Sequence, residues 1–445
     1  MQYANAISNL VSSVQKGITT FQQQQFQNPL LLDQERSVKG AELQQQDSQE
    51  KPVSLVSTFK NAITSTAMLR PNGGSDQSTS MASLSEPESI RLQRFKQELS
   101  GSCINLHALR RLAFHGVPDR DNLRAVVWKL LLSYLPPSPE DWPAALAKRR
   151  TQYHVFCDEL MLDPKRLSSN TGRDLDVVPP LMVVGITGPL QAQDVTSDDH
   201  PLSLAQSSQW NVFFQDSEVM AQVERDVMRT HPDMHFFTGE SPEAEVHREE
   251  MKRALFLYAK LNPGLRYIQG MNELIAPLYY IFKLDPDDRV RQYAEADAFW
   301  CFMELISEFR DHFCQQLDNA QTGIRATIRK LMAVLRHHDA ALWKHIEVVH
   351  KVDAQFFAFR WITLLLSQEF TLPDTLRVWD MILSDPHGRT DALMRICTAM
   401  VLNVKDVLMQ GDFTVIMKTL QRYPPVDVNV ILSRAAAMTP CSEIL

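Results

Sequence analysis

The residue types most able to do chemistry lie in two short stretches of this chain. The first stretch, 223–232, has the sequence VERDVMRTHP. Residues three apart on a helix are neighbours, so the Asp226 carboxylate can hold the Arg229 guanidinium from one side. Because a proline disfavours helical geometry at the residue before it, we expect the helix to stop at His231, with Arg229 in its last turn. The sequence therefore predicts an oriented arginine that points outward.

The second stretch, 267–273, has the sequence YIQGMNE and follows the helix-breaking run Asn262-Pro263-Gly264. The strongly apolar segment 274–282 comes next and predicts a helix. Gln269 would lie at the start of that helix, where a neutral amide can face a ligand. An oriented arginine and an oriented glutamine together suit GTP hydrolysis, in which the glutamine orients the attacking water and the arginine neutralises charge on the phosphoryl group.

The spacing of the two stretches resembles the TBC-domain GTPase-activating proteins for Rab GTPases. That family has two signatures, Ile-x-x-Asp-x-x-Arg and Tyr-x-Gln. The corresponding residues of this sequence are Val223-x-x-Asp226-x-x-Arg229 and Tyr267-Ile268-Gln269. Val223 stands where the family usually has isoleucine, and both are β-branched and apolar, so we expect the anchoring role to survive.

The resemblance covers residues 110–435, and several local runs resemble one small member of the family in particular. The family's opening block corresponds here to Gly116-Val117-Pro118. This block precedes a helix that we predict over 119–134, with Asp119 as its N-cap. That helix carries Arg124 and Trp128, and the closing blocks carry Trp361, Pro373, Trp379 and Asp380. We interpret Arg124 and Asp380 as buried polar links between helices, and the three tryptophans as core. Pro373 suits the first turn of its helix.

Each signature also has a simpler interpretation. An arginine in the last turn of a helix is favoured by the helix dipole without any catalysis. A Tyr-x-Gln occurs by chance in many proteins, so the two signatures carry weight only together and in order. A departure from the family is the short acidic link 238–250 between them, where related members can carry a long insertion.

Composition favours one large all-α domain. The chain has 445 residues, is 44% hydrophobic and contains only 15 glycines, and the one strand-like run, 177–186, contains two prolines. The net charge of −8 without a basic stripe argues against nucleic acid. No apolar run reaches the length of a membrane span, and no secretory signal is evident. Six scattered cysteines predict reduced thiols in a cytoplasmic protein. No metal site is expected, because Pro232 breaks the spacing of His231, Asp233 and His235.

Residues 1–89 form a Gln- and Ser-rich extension that we predict to be largely disordered. Two segments in it, 4–21 and 53–68, place apolar residues on one helical face and uncharged polar residues on the other. Such helices can lie in a membrane interface, which would bring the chain to endomembranes as a peripheral protein. Partner-binding helices, or chance periodicity, remain open as alternatives.

From residue 90 to 440 the pattern predicts a two-lobed multi-helix domain, with lobes at 90–285 and 286–440. Continuous helices are expected over 353–369 and 390–410. The long connection 162–208 is expected to be functional or mobile.

The resemblance implies an activator of GTP hydrolysis on a Rab GTPase, which acts in vesicle trafficking and turns over no substrate of its own. Arg229 and Gln269 would be catalytic, with Asp226 and Tyr267 positioning them. GTP and Mg²⁺ would come with the partner, and the sequence has no phosphate-binding loop of its own. A non-catalytic Rab-binding scaffold or adaptor remains the alternative. The Rab, the organelle and the oligomeric state stay open.

Overall fold

The computed structural model describes residues 88–161, 209–313 and 323–444, with side chains in the second range from residue 214 onward. Within these ranges the chain is helical and no residue lies in a β-strand, so the predicted all-α fold class is confirmed. The predicted segments 4–21, 53–68, 162–208 and 177–186 lie outside the described residues. The described residues belong to one compact unit, and its division into two lobes stays a prediction.

The helices are numbered in chain order. A 3₁₀ turn, Pro139–Asp141, precedes α4, and a π-helical turn, Lys344–Val349, continues α11. The α-helices are α1 Glu88–Leu99, α2 Leu106–Phe114, α3 Leu123–Leu131, α4 Trp142–Leu160, α5 Gln209–Val227, α6 Pro242–Leu261, α7 Met271–Lys283, α8 Asp288–Arg291, α9 Ala294–Phe313, α10 Ile324–His338, α11 Ala340–Trp343, α12 Gln355–Thr363, α13 Leu372–Ser384, α14 Arg389–Asn403, α15 Lys405–Gln410, α16 Phe413–Gln421, α17 Val428–Ala436 and α18 Cys441–Ile444.

Helix α7 runs through the core beside the two sequence stretches. Its sequence, MNELIAPLYYIFK, is apolar nearly all round, which is the pattern of an enclosed helix. It packs against α3, α5, α6 and α9, and α5 also packs on α6. The end of α5 and the start of α7 are therefore brought together by the packing of three helices. Across the described ranges, no helix has both the length and the apolar character that a membrane crossing requires.

Helix α3 begins later than predicted, and the Asp119 N-cap is wrong. Asp121 and Asn122 have left-handed backbone conformations, with φ of 54° and 51°, so the helix can begin only at Leu123. The Asp119 carboxylate instead accepts a hydrogen bond from Arg124. At the start of the domain the difference is smaller, because residues 88 and 89, expected in the extension, already belong to α1.

The acidic link predicted at 238–250 is mostly helix. Helix α6 begins at Pro242, and the Ser241 hydroxyl caps it by accepting from the Ala244 N–H at 3.1 Å. Glu243 and Glu245 lie in the first turn, where the helix dipole favours negative charge. The acidic composition that suggested a loop is thus the N-terminal signature of a helix.

Two long helices predicted from periodicity are interrupted. The helix expected over 353–369 ends at Thr363, because Leu365 and Leu366 adopt left-handed conformations with φ of 47° and 65°. The helix expected over 390–410 divides at Val404 into α14 and α15. Periodicity continues across both breaks, so the sequence pattern alone does not reveal them.

The blocks that open and close the domain meet at one buried carboxylate. Asp380 accepts hydrogen bonds from Trp128 Nε1 at 2.8 Å, Arg124 Nε at 3.1 Å and the Val117 N–H at 2.8 Å. The rings of Trp128 and Trp379 stack at 5.7 Å between centroids. Polar bonds around a buried aspartate therefore tie α3 to α13 and to the chain that precedes α3.

The two remaining motif residues of the closing blocks are Trp361 and Pro373. Trp361 is fully buried and packs edge to face on Phe357, with centroids 5.1 Å apart. Pro373 lies in the first turn of α13, after the N-cap Thr371. Both residues belong to the structural frame and lie apart from the two signature stretches in the sequence.

Candidate functional site

Arg229 lies in a tight turn just after α5. The helix was expected to continue through Thr230, but α5 ends at Val227. The N–H groups of Arg229 and Thr230 bond three residues back, to the Asp226 and Val227 carbonyls at 3.0 and 3.1 Å. Such bonds tighten a helix end into a 3₁₀-type turn. His231, which precedes Pro232, then has a φ of 40°, so the chain reverses there.

The Arg229 guanidinium is held from one side and is open on the other. Its Nη2 donates to Asp226 Oδ1 at 2.6 Å, and its Nε donates to the Arg225 carbonyl at 3.0 Å. The side chain remains 60% exposed, whereas that of Asp226 is 4% exposed. A buried acid thus fixes the direction of an exposed base. Val223, one turn earlier on α5, is fully buried and anchors the helix.

The second stretch joins the first through the same carboxylate. The Tyr267 hydroxyl donates to Asp226 Oδ2 at 2.7 Å, so Asp226 binds Tyr267 with one oxygen and Arg229 with the other. Tyr267 is buried, and its burial, together with the Asp226 charge, raises its pKa well above the ordinary value. The hydroxyl therefore stays protonated and remains a donor at neutral pH.

Gln269 lies in the turn between Tyr267 and α7. Its side chain is half-buried, and no hydrogen bond from within the described ranges holds its carboxamide. Gly270 follows with a φ of 98°, and a Cβ at that position would lie 2.6 Å from Leu364 Cδ2. The backbone conformation therefore favours glycine beside Gln269, and a side chain there would also have to displace the end of Leu364.

Two polar residues at the start of α7 complete the site. Asn272 is buried, and its Nδ2 lies 3.2 Å from the Asp226 carbonyl and 2.9 Å from both Thr230 Oγ1 and Glu273 Oε1. Burial, helped by the Asp226 charge, raises the pKa of Glu273 to about 7, although hydrogen bonds from Gln368 and Asn272 and the Arg229 charge act to lower it. The site therefore contains a buried carboxyl, that of Glu273, whose pKa lies near neutral pH.

The structure brings Asp226, Arg229 and Tyr267 into one hydrogen-bonded group, with Gln269 two residues beyond Tyr267. It places the other motif residues in the frame described above. His231 packs on Phe237 with centroids 5.4 Å apart, and burial lowers its pKa. Within 88–161, 209–313 and 323–444, no group of three His, Cys, Asp or Glu side chains could hold a metal ion.

Sequence reasoning missed Asn272, Glu273 and Thr230. A usable signal was present, because Asn272 and Glu273 are adjacent polar residues at the start of a helix that is otherwise apolar. Buried polar groups need partners, so two of them beside a signature stretch predict a local polar network. Their partners on α5 could not be identified without the packing.

The part of the chain that contains these residues also matches known proteins. A family model described as the Rab-GTPase-TBC domain matches residues 192–409. The human TBC1 domain family member 13 is 36% identical over 405 residues, which cover 78% of this chain and 96% of that protein. A TBC domain-containing protein of Schizosaccharomyces pombe is 27% identical over 463 residues, covering 77% of this chain and 71% of that protein.

Among solved structures, the Ypt/Rab-GAP domain of Gyp1p superposes with a TM-score of 0.59 at 23% identity. The match covers 79% of this chain and 98% of that one, so the fold is shared along the whole domain.

Proposed function

The chain belongs to the family of Rab-GTPase-TBC domains, and on that premise we propose that it accelerates GTP hydrolysis on a Rab GTPase through Arg229 and Gln269. One observation carries the mechanism. The two oxygens of the buried Asp226 carboxylate bind Arg229 and Tyr267, so one acid sets the position of both signature stretches.

Arg229 stabilises the charge that develops between the β- and γ-phosphates. An arginine supplied in trans can be worth roughly 10³ to 10⁵ in rate, or about 4–7 kcal/mol of the barrier. Such an arginine must be exposed enough to reach the partner and restrained enough to arrive in one orientation. The 60% exposed guanidinium with its 2.6 Å bond to Asp226 meets both needs.

Gln269 positions the attacking water in place of the GTPase's own glutamine. Its carboxamide is half-buried and holds no hydrogen bond within the described part of the chain, so its donor and its acceptor can serve a ligand. Tyr267 and Gly270 fix the turn that presents it. GTP and Mg²⁺ come with the partner, because the sequence carries no phosphate-binding loop.

Single-turnover GTP hydrolysis across a panel of GTP-loaded Rab proteins tests this function. We expect the native chain to accelerate at least one Rab, and Arg229→Ala and Gln269→Ala each to lose roughly 10²-fold or more. Arg229→Lys should also fail, because a point charge cannot replace the planar guanidinium.

Matched controls are exposed residues of the same two types. Arg225→Ala removes an exposed arginine one turn before Arg229 and leaves the carbonyl that Arg229 uses. Gln292→Ala removes an exposed glutamine that bonds only the Arg289 carbonyl within the described residues. Both controls should keep native rates. Acceleration that survives the loss of Arg229 and Gln269 together would refute the mechanism, and Rab binding without acceleration would favour the scaffold.

The cellular setting proposed for this activity is vesicle trafficking in the cytoplasm, with peripheral membrane contact through residues 4–21 and 53–68. Flotation with small, defect-rich liposomes tests the contact. The full chain should float, and a chain that begins at residue 88 should not. Equal behaviour of the two chains would remove this part of the proposal.

A further inference from the structure

We propose that Asn272 is a positioning residue that sets the separation between Arg229 and Gln269. The inference rests on the proposed GTPase-activating function and adds a residue outside both family signatures. Asn272 lies three residues after Gln269, as the second residue of α7, and is 3% exposed. A buried carboxamide so close to the glutamine must find its partners within the protein.

The surroundings fix the orientation of the Asn272 carboxamide. Its nitrogen faces the Asp226 carbonyl, the Thr230 hydroxyl and the Glu273 carboxyl, at 3.2, 2.9 and 2.9 Å. The Asp226 carbonyl can only accept, and the Thr230 hydroxyl donates to that same carbonyl, so the amide nitrogen must face this side and share its two hydrogens among the three oxygens. The Tyr267 hydroxyl lies 3.5 Å from the Asn272 oxygen, on the other side of the group.

These bonds bracket Arg229. Asp226 precedes Arg229 by three residues and Thr230 follows it directly, so Asn272 holds the turn on both sides of the arginine. The Asp226 carbonyl also accepts from the Arg229 N–H and the Thr230 hydroxyl, at 3.0 and 3.2 Å. Asn272 therefore adds a partner from a different helix to the local bonds that already close this turn.

Hydrogen bonds to Asp226 also hold the chain on both sides of Gln269. Tyr267 precedes Gln269 by two residues and reaches the Asp226 carboxylate, while Asn272 follows by three and reaches the Asp226 carbonyl. Both flanks of the glutamine turn are therefore tied to one residue of the arginine turn. Loss of the Asn272 bonds would free one flank and let the two catalytic groups drift relative to each other.

The test is a double-mutant cycle in the full-length chain, with a Rab that the native chain accelerates. Asn272→Ala should lower kcat by about 10-fold to 10²-fold, because displacement of a catalytic group by about 1 Å has effects of that size. KM should change by no more than about 3-fold, because Asn272 is buried and does not touch the partner. Asn403→Ala, which removes a remote amide that bonds Tyr423, should keep native kcat and KM.

The decisive comparison is made in the Arg229→Ala background. If Asn272 acts by setting the separation between Arg229 and Gln269, its loss should cost no more than about 3-fold there, because that separation no longer matters once Arg229 is gone. Equal losses in both backgrounds, or a loss confined to KM, would overturn the proposal. A general loss of structure would lower rates equally in both backgrounds, so the cycle separates positioning from folding.

Thr230→Val decides the question if Asn272→Ala does not fold. It removes the hydroxyl that Asn272 binds at 2.9 Å and keeps the shape of a fully buried side chain. We expect a kcat loss of about 3- to 10-fold that again disappears in the Arg229→Ala background. A native kcat in Thr230→Val would contradict the proposal. Failure of the native chain to accelerate any Rab would instead refute the proposed function, and the positioning role with it.

Discussion

Two aspartate–arginine pairs in this chain use the same chemistry in opposite surroundings. Asp226 pairs with Arg229 at the end of α5, and Asp380 pairs with Arg124 between α13 and α3. Both acids are buried. The bases differ, since the Arg229 side chain is 60% exposed and that of Arg124 is 9% exposed.

The donors of the two guanidiniums fit the different roles proposed for the two pairs. Arg124 uses all three nitrogens, which bond Asp380, Asp119 and the Val117 carbonyl. Arg229 uses Nε and Nη2, and its Nη1 has no partner within the described ranges. A guanidinium whose three nitrogens are all bonded within the protein can only hold the fold together, whereas one with an unbonded nitrogen keeps donors for a ligand. The residue types of the two pairs are the same, but the count of satisfied donors on the arginine differs.

The largest expected effect breaks the structural pair. Asp380→Asn leaves the buried Arg124 charge without its main partner, which should cost about 3–5 kcal/mol in the free energy of unfolding. Arg229→Ala should cost less, about 1–2 kcal/mol, because it leaves the buried Asp226 carboxylate without its counter-charge but with its hydrogen bond from Tyr267. Urea unfolding of both variants measures the contrast. Equal losses would mean that the two pairs do not differ in role.

The next effect weakens the functional pair. Asp226→Asn removes the charge that holds Arg229 and leaves a single oxygen for two donors, so the single-turnover rate should fall by about 10²-fold. Asp216→Asn is the control, because Asp216 lies on the same helix as Asp226 and forms an ion pair with Lys260 of α6, away from Arg229. A native rate in Asp226→Asn would show that Arg229 needs no support.

The pH dependence of stability sharpens the comparison through Glu273, the buried carboxyl at the start of α7. The pKa of Glu273 is raised from 4.5 to about 7, so the folded state binds more protons than the unfolded state between these values, and stability falls as pH rises through this window. Glu273→Gln should remove that slope and raise the free energy of unfolding at pH 8 by roughly 2–3 kcal/mol.

The measurement is the difference between native and variant unfolding free energies from pH 4 to 8. This difference cancels other groups such as His312, whose pKa burial lowers to about 4 and whose contribution has the opposite sign. A difference that does not vary with pH would exclude a neutral Glu273 in the folded protein.

The smallest expected effect concerns Tyr267. Tyr267→Phe removes one hydrogen bond to Asp226 and leaves the ring in place, so we expect a loss of about 1 kcal/mol in stability. The rate should fall by only about 3- to 10-fold, because the Asn272 bonds still hold the other flank of Gln269. A loss as large as that of Gln269→Ala would assign Tyr267 a larger role than positioning.

The sequence predicted where helices occur better than it predicted where each helix begins and ends. The apolar segment 274–282 predicted α7 to within three residues at its start and one at its end, and Pro373 lies in the first turn of α13 as expected, because apolar patterns and helix-start signals act locally. The breaks at Leu365 and Val404 were missed, because left-handed residues and packing there override an uninterrupted apolar pattern. The Asp119 cap was wrong because Arg124 takes that carboxylate.

The order and spacing of residues determined the all-α class, the family and the pairing of Asp226 with Arg229, since these depend on neighbours along one helix. Only the tertiary structure decided that one carboxylate serves both signature stretches, and that Asn272 joins them a second time. Those contacts link residues more than 40 positions apart. They form because α5 and α7 pack against each other, which no local pattern encodes.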